Sequence, residues 1–348
     1  MNTKTEKRQL IIFAAVAYGI TYLLGILMWY GYAKGIDLST FPNAQMMYPA
    51  MGVMLAFLLT RREDENVPRA FYRIFIASGA VQIVFAVLSV FRPDMTVEMA
   101  GGTVSVWLLG IQYVQIIGGI IGLIFLFISG KKRREAYGLR WKNWKASVFC
   151  IILFLVLYFG RAALAYMMGG ELSSFFDIMK MPESWITMVF LPLNFVLAYA
   201  AFFGEEYGWR YYLQPIMQEK FGLRKGVLLL GVVWGLWHLP LDIFFYVTPD
   251  KAVIMILSQI ITCITLGIFF GYAYMKTENI WVPTILHFFN NNLIVVISGQ
   301  FSGDVLQDQS VSWADVPVSL LVNGLLFGLF ILAKPYREKK EMKELQKF

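Results

Sequence analysis

Histidine and cysteine are scarce in this 348-residue chain, two of each, and charged residues make up only 15% of it. Both cysteines, Cys150 and Cys263, sit inside apolar runs. That placement excludes a disulfide framework and a cysteine-based metal site, and reads as two small buried hydrophobes. So little charge beside 58% hydrophobic residues and a mean hydropathy of +0.60 excludes an ordinary soluble domain. What remains is a polytopic membrane protein. Internal repeats and low-complexity segments are also missing. The net charge of +7 and pI near 9.2 do not call for a nucleic-acid partner. The basic excess sits at the ends of apolar runs, where it faces anionic headgroups of the lipid bilayer.

Apolar runs of about 20 residues predict an all-α transmembrane helix bundle of about ten spans, near 10–32, 43–60, 71–91, 104–129, 146–168, 186–204, 226–247, 252–275, 280–298 and 316–333. The first run is too long for a signal-peptide core and lacks a small-residue cleavage site, so it reads as a retained span. Arginine and lysine collect at one set of ends: the N-terminal KTEKR, Arg61-Arg62, Lys131-Lys132-Arg133-Arg134, Lys220 with Arg224-Lys225, and the tail KPYREKKEMKELQK. The opposite loops are poorer in both, and GQFSGDVLQDQSVSWAD holds only acids among its charges. The positive-inside rule therefore predicts that both termini are cytoplasmic. The basic loop KKRREAYGLRWKNWK divides the chain into an N-terminal four-span region, 1–140, and a second part, 141–348, which holds every candidate functional residue.

Those candidates form three short patterns. FGEEYGWR places Glu206 and Arg210 at i and i+4, on one helix face, with Glu205 turned about 100° away. Glu206 is expected to pair with Arg210, leaving Glu205 available for proton transfer, and Trp209, Tyr211 and Tyr212 read as headgroup-level aromatics. WGLWHLPLD carries His238 near mid-membrane, with Asp242 one turn on as a residue that would orient it or lie near the outer interface. HFFNNN puts His287 and Asn291 at i and i+4. Three consecutive asparagines, Asn290 to Asn292, cannot all face one cavity, and amides at such depth serve either as glue between helices or as catalytic donors. Ionisable groups inside a membrane usually mark function. A carboxylate, two imidazoles and an amide would suffice for hydrolysis: the acid and a histidine deprotonate water while N–H donors hold an oxyanion. No serine, cysteine or threonine nucleophile is required.

The ordered set resembles the CPBP family, also called the Abi or CAAX-protease family of intramembrane endopeptidases. Glu205 through Arg210 match its EExxxR, His287 through Asn291 match its HxxxN, and Trp234 stands where FxxxH places its aromatic before His238. The resemblance covers about residues 186–300. It implies a peptide hydrolase acting on a membrane-associated peptide or protein, the eukaryotic branch removing the C-terminal tripeptide of prenylated CAAX proteins. Glu205 and His238 would activate water, His287 and Asn291 would stabilise the oxyanion, and Glu206 with Arg210 would support the site. No cofactor is favoured, because an Asn suits oxyanion donation and a zinc site normally shows closer pairing such as HExxH. A zinc ion held by Glu205, His238 and His287 stays open as the alternative. So do a non-enzymatic scaffold or immunity protein and a proton-coupled transporter, although no inverted repeat points to the last. In a bacterium the protein would be a multi-pass component of the cell membrane.

Overall fold

The computed structural model describes residues 4–99, 102–301 and 305–337; the lysine-rich end of the tail, 338–348, and residues 302–304 of the acidic loop lie outside them. The described residues are almost wholly helical, apart from a small hairpin in which Thr96–Met99 pairs antiparallel with Gly102–Ser105. Among the described residues, seven helices are long and apolar enough to cross a membrane: Lys4–Ala33, Arg69–Phe91, Val106–Ile128, Trp144–Met168, Pro182–Phe221, Pro249–Thr277 and Trp281–Ser298.

At three of the ten expected spans the helix is shorter than the apolar run. The runs at 43–60, 226–247 and 316–333 fold as the shorter helices Tyr48–Thr60, Leu223–Trp237 and Asp315–Leu326. At a rise of 1.5 Å per residue these reach only about 18–22 Å, against roughly 30 Å of hydrocarbon. Proline accounts for one of the interruptions: Pro240 lacks the N–H that would continue the helix, and its ring crowds the carbonyl four residues earlier. The helix therefore stops at Trp237 and a second segment, Leu239–Phe244, begins beyond His238. The run at 43–60 starts late because Thr40–Gln45 is a separate short helix. The run at 316–333 tightens into a 3₁₀ turn over Gly328–Leu332.

The chain divides into two bodies, Met1–Arg140 with Leu197–Tyr212, and Trp141–Val196 with Leu213–Phe348. In the first, buried polar pairs join helices that apolar contact alone would not orient. Thr40 Oγ1 lies 2.9 Å from Ser89 Oγ, Gln9 Nε2 donates to Thr60 Oγ1 at 2.8 Å, and Gln115 Nε2 donates to Asn43 O at 3.1 Å. At the basic end, the 61–68 loop is closed by Tyr137, whose hydroxyl donates to Asp64 Oδ2 at 2.6 Å. Partial burial raises the Asp64 carboxyl's proton affinity, but hydrogen bonds from Tyr137 and Asn66 and the charge of Arg61 outweigh it and hold the group below its ordinary range.

In the second body, Leu223–Trp237 lies closely along Pro249–Thr277. Glycine makes that approach possible: a Cβ at Gly235 would stand 2.9 Å from Ile260 Cα, and one at Gly231 would stand 3.0 Å from Ile264 N. Tyr158 and Tyr166 tie Trp144–Met168 to Trp281–Ser298 by donating to Asn290 O at 3.1 Å and Ile297 O at 2.8 Å.

Candidate active site

Pro182–Phe221 does not end before the two acids, as its hydropathy suggests, but carries them into the interior. The α-helix runs to Glu206, widens into a π-helix over Tyr207–Leu213 and resumes at Gln214–Phe221. Such widened turns are rare and concentrate at functional sites. Pro215 does not break the helix, because it falls in the first turn of the resumed segment, where a missing N–H matters least. Gly204 and Gly208, one turn apart, let this stretch press on the start of Tyr48–Thr60. A Cβ at Gly204 would lie 3.0 Å from Met47 Cα, and one at Gly208 would lie 3.0 Å from Pro49 Cα.

The result is burial of the whole pattern: Glu205 is 2% exposed, and Glu206 and Arg210 are 0% exposed. Arg210 Nε donates to Glu206 Oε2 at 2.8 Å. Glu205 is served one residue earlier, by Trp209 Nε1 donating to its Oε2 at 3.3 Å. Each acid thus meets a donor four residues on, and only one donor carries charge. Trp209, Tyr211 and Tyr212 are buried within the protein. Trp209 stands edge-on to Phe13 at 5.8 Å, and the rings of Phe203, Tyr207 and Tyr211 stack at successive turns, 5.0 and 4.5 Å apart.

The two histidines belong to the second body, where Trp234 neighbours both. Its ring centre lies 6.1 Å from that of His238 and 5.5 Å, edge-on, from that of His287. Phe270 completes the cluster, 5.9 Å from His287 and 6.3 Å from Trp234. Both imidazoles are buried. His238 sits at the helix break made by Pro240, and its Nδ1 lies 2.9 Å from the carbonyl oxygen of Trp234. A carbonyl oxygen only accepts, so Nδ1 carries the proton and Nε2 is the basic nitrogen. Trp234 therefore packs beside both histidines and, through its carbonyl, sets the tautomer of one. Cys263 Sγ lies 3.9 Å from the same Nδ1. Asp242 does not orient His238: it is buried, and neither of its carboxylate oxygens has a hydrogen-bond partner among the described residues.

His287 and Asn291 lie one turn apart on Trp281–Ser298. The neighbouring asparagines take different partners. Asn292 Nδ2 donates back to Phe288 O at 2.9 Å, and Asn290 Nδ2 donates to Asn291 Oδ1 at 3.0 Å. Glu205, Glu206 and Arg210 fall in the first body and His238, His287 and Asn291 in the second. Within either body, among the described residues, no three His, Cys, Asp or Glu side chains are grouped as metal ligands. Three contacts were missed by reading the sequence. Trp209 was accessible through the same four-residue spacing that singled out Arg210. The sequence shows that the three asparagines cannot all face one way but not that Asn290 bonds Asn291, and nothing in the local pattern signals Cys263.

Residues 184–293 match the family described as type II CAAX prenyl endopeptidase Rce1-like, a segment that contains all seven residues of the three patterns. A protein of Methanococcus maripaludis named CAAX prenyl protease 2 is 32% identical over 107 residues, which cover 29% of this chain and 39% of that relative. The chain thus aligns with well under half of the relative's length. No solved structure matches the chain.

Proposed function

We propose, for a multi-pass membrane chain whose residues 184–293 match the Rce1-like family of CAAX endopeptidases, that it hydrolyses a peptide bond in a membrane-associated protein or peptide. The observation that carries this reading is that the chain's two histidines both pack beside Trp234, within the segment matched to that family. One has its basic nitrogen defined by a backbone carbonyl, and the other lies one turn from an amide donor.

In this reading Glu205 takes a proton from water and His238 Nε2 shares that proton. The water oxygen bonds to the scissile carbonyl carbon, and the carbonyl electrons move onto its oxygen. N–H groups of His287 and Asn291 hold that charge, in surroundings where burial makes each hydrogen bond count for more than in water. The proton then passes to the amide nitrogen as the C–N bond breaks, releasing an acid and an amine. Glu206 and Arg210 hold the turn that carries Glu205. Substrate comes from the bilayer, and in a bacterial host the enzyme resides in the cell membrane.

The test is cleavage of fluorescence-quenched peptides by purified protein, using one set ending in an S-prenylated CaaX box and one unprenylated library. Glu205→Gln is expected to lose about 100- to 10,000-fold in kcat, the range of a general base, while a chelator leaves the wild type unchanged. Full activity in Glu205→Gln would refute the mechanism. Loss in chelator restored by zinc would replace it with one in which Glu205, His238 and His287 hold a metal.

A further inference from the structure

We infer that Asn290 is a positioning residue, fixing the amide of Asn291 so that its nitrogen rather than its oxygen is presented to the reacting carbonyl; this rests on the endopeptidase reading above. A side-chain amide is nearly symmetric in shape, and half a turn about its last bond exchanges two N–H donors for an acceptor. An Asn whose oxygen faced the developing oxyanion would repel it. A site that uses Asn for this purpose therefore needs something to commit the oxygen elsewhere.

Asn290 does so: its Nδ2 donates to Asn291 Oδ1 at 3.0 Å, which leaves both hydrogens of the Asn291 nitrogen uncommitted to that contact. Asn290 is itself anchored. Tyr158, fully buried, donates to its backbone oxygen at 3.1 Å, and the Arg161 guanidinium lies over the Tyr158 ring at 4.4 Å. Asn290 Oδ1 is buried without a hydrogen-bond partner among the described residues. That detail separates positioning from glue between helices, since glue would satisfy both ends of the amide, and a buried unsatisfied acceptor is unfavourable. Asn292, bonded to its own helix at Phe288, plays no part.

The experiment compares Asn290→Asp, Asn290→Leu and Asn291→Ala on whichever of the two peptide sets wild type cleaves, with thermal unfolding in the same detergent. The ionised carboxylate of the Asn290→Asp variant cannot donate, and it turns the Asn291 nitrogen inward. Its kcat is expected to fall about 10- to 100-fold, the scale of a misplaced group, with KM within about twofold. The ratio of Asn290→Asp to wild type, taken at each pH, is expected to recover toward acid, because a protonated carboxyl has an O–H to donate again. Asn290→Leu loses kcat without that recovery. Asn291→Ala loses about 100- to 1,000-fold, as for a missing oxyanion donor.

Asn290 variants as active as wild type beside a dead Asn291→Ala would overturn the positioning role and leave the endopeptidase standing. A rise in KM alone would overturn it too, as would a loss that is constant with pH and matched by a lower melting temperature. An active Asn291→Ala would remove the oxyanion role and the inference together. Wild type that cleaves neither peptide set would refute the endopeptidase reading itself.

Discussion

Glu206 and Arg210 form an ion pair in which neither side chain reaches the surface. Taking two charges out of water is unfavourable, and their attraction offsets this only while both are present. Glu206→Gln leaves a buried guanidinium facing a neutral amide and is expected to destabilise the protein by about 3–5 kcal/mol. Glu205→Gln retains an acceptor for Trp209 Nε1 and leaves the Glu206–Arg210 pair in place, so it should unfold at the wild-type temperature. Thermal unfolding of the two variants in one detergent separates these outcomes, and equal destabilisation would show that the acids do not divide support and chemistry between them. The pairing of Glu206 with Arg210 could be read from four-residue spacing alone, because that geometry is local to any helix. The partner of Glu205 follows from the same spacing but is harder to recognise, since an indole carries no charge to draw attention to it.

At the level of elements, the histidines are placed by close helix contact. Gly235 lies between Trp234 and His238, and a side chain there would meet the backbone of Ile260. Gly235→Val forces Leu223–Trp237 away from Pro249–Thr277 and should cost about 1–3 kcal/mol of stability as an overpacked contact. Because the displaced segment carries Trp234 and His238, peptide cleavage is expected to fall at least about tenfold, the loss that accompanies small misplacements of catalytic groups. Gly160→Ala is the control. It lies on Trp144–Met168 with nothing within 4 Å of the added methyl, and should leave both stability and cleavage intact. Unchanged cleavage in Gly235→Val would mean that this contact does not position the histidines. Hydropathy located these helices because burial in lipid demands long apolar runs. It did not show the π turn at Tyr207–Leu213, which depends on what the helix packs against, nor that Leu197–Tyr212 joins the N-terminal body. Leu197–Tyr212 meets the start of Tyr48–Thr60 through Gly204 and Gly208, and periodicity in one segment carries no record of its partner.

For the whole molecule, the open matter is which helices cross. If only the seven long ones do, the count is odd and the termini lie on opposite sides. That arrangement would also set the N-terminal KTEKR opposite both Arg61-Arg62 and the Lys131–Arg134 cluster. If the three short helices cross as well, all these groups share one side with Lys220, Arg224 and Lys225, as the positive-inside rule requires. Shortness is no obstacle where protein rather than lipid surrounds a helix. Tyr48–Thr60 is buried over most of its length, and Leu223–Trp237 is prolonged by Leu239–Phe244 beyond the break at His238. The expected topology is therefore ten crossings. Single cysteines at Arg62, Lys132 and Asp308, introduced in a background where Cys150 and Cys263 are buried, test it with a membrane-impermeant maleimide. Arg62→Cys and Lys132→Cys should label only in inverted vesicles, and Asp308→Cys only in intact cells. Labelling of Arg62→Cys from outside would show that Tyr48–Thr60 turns back without crossing. The basic ends could not then all be cytoplasmic, and the side from which a substrate approaches Glu205 would have to be assigned anew.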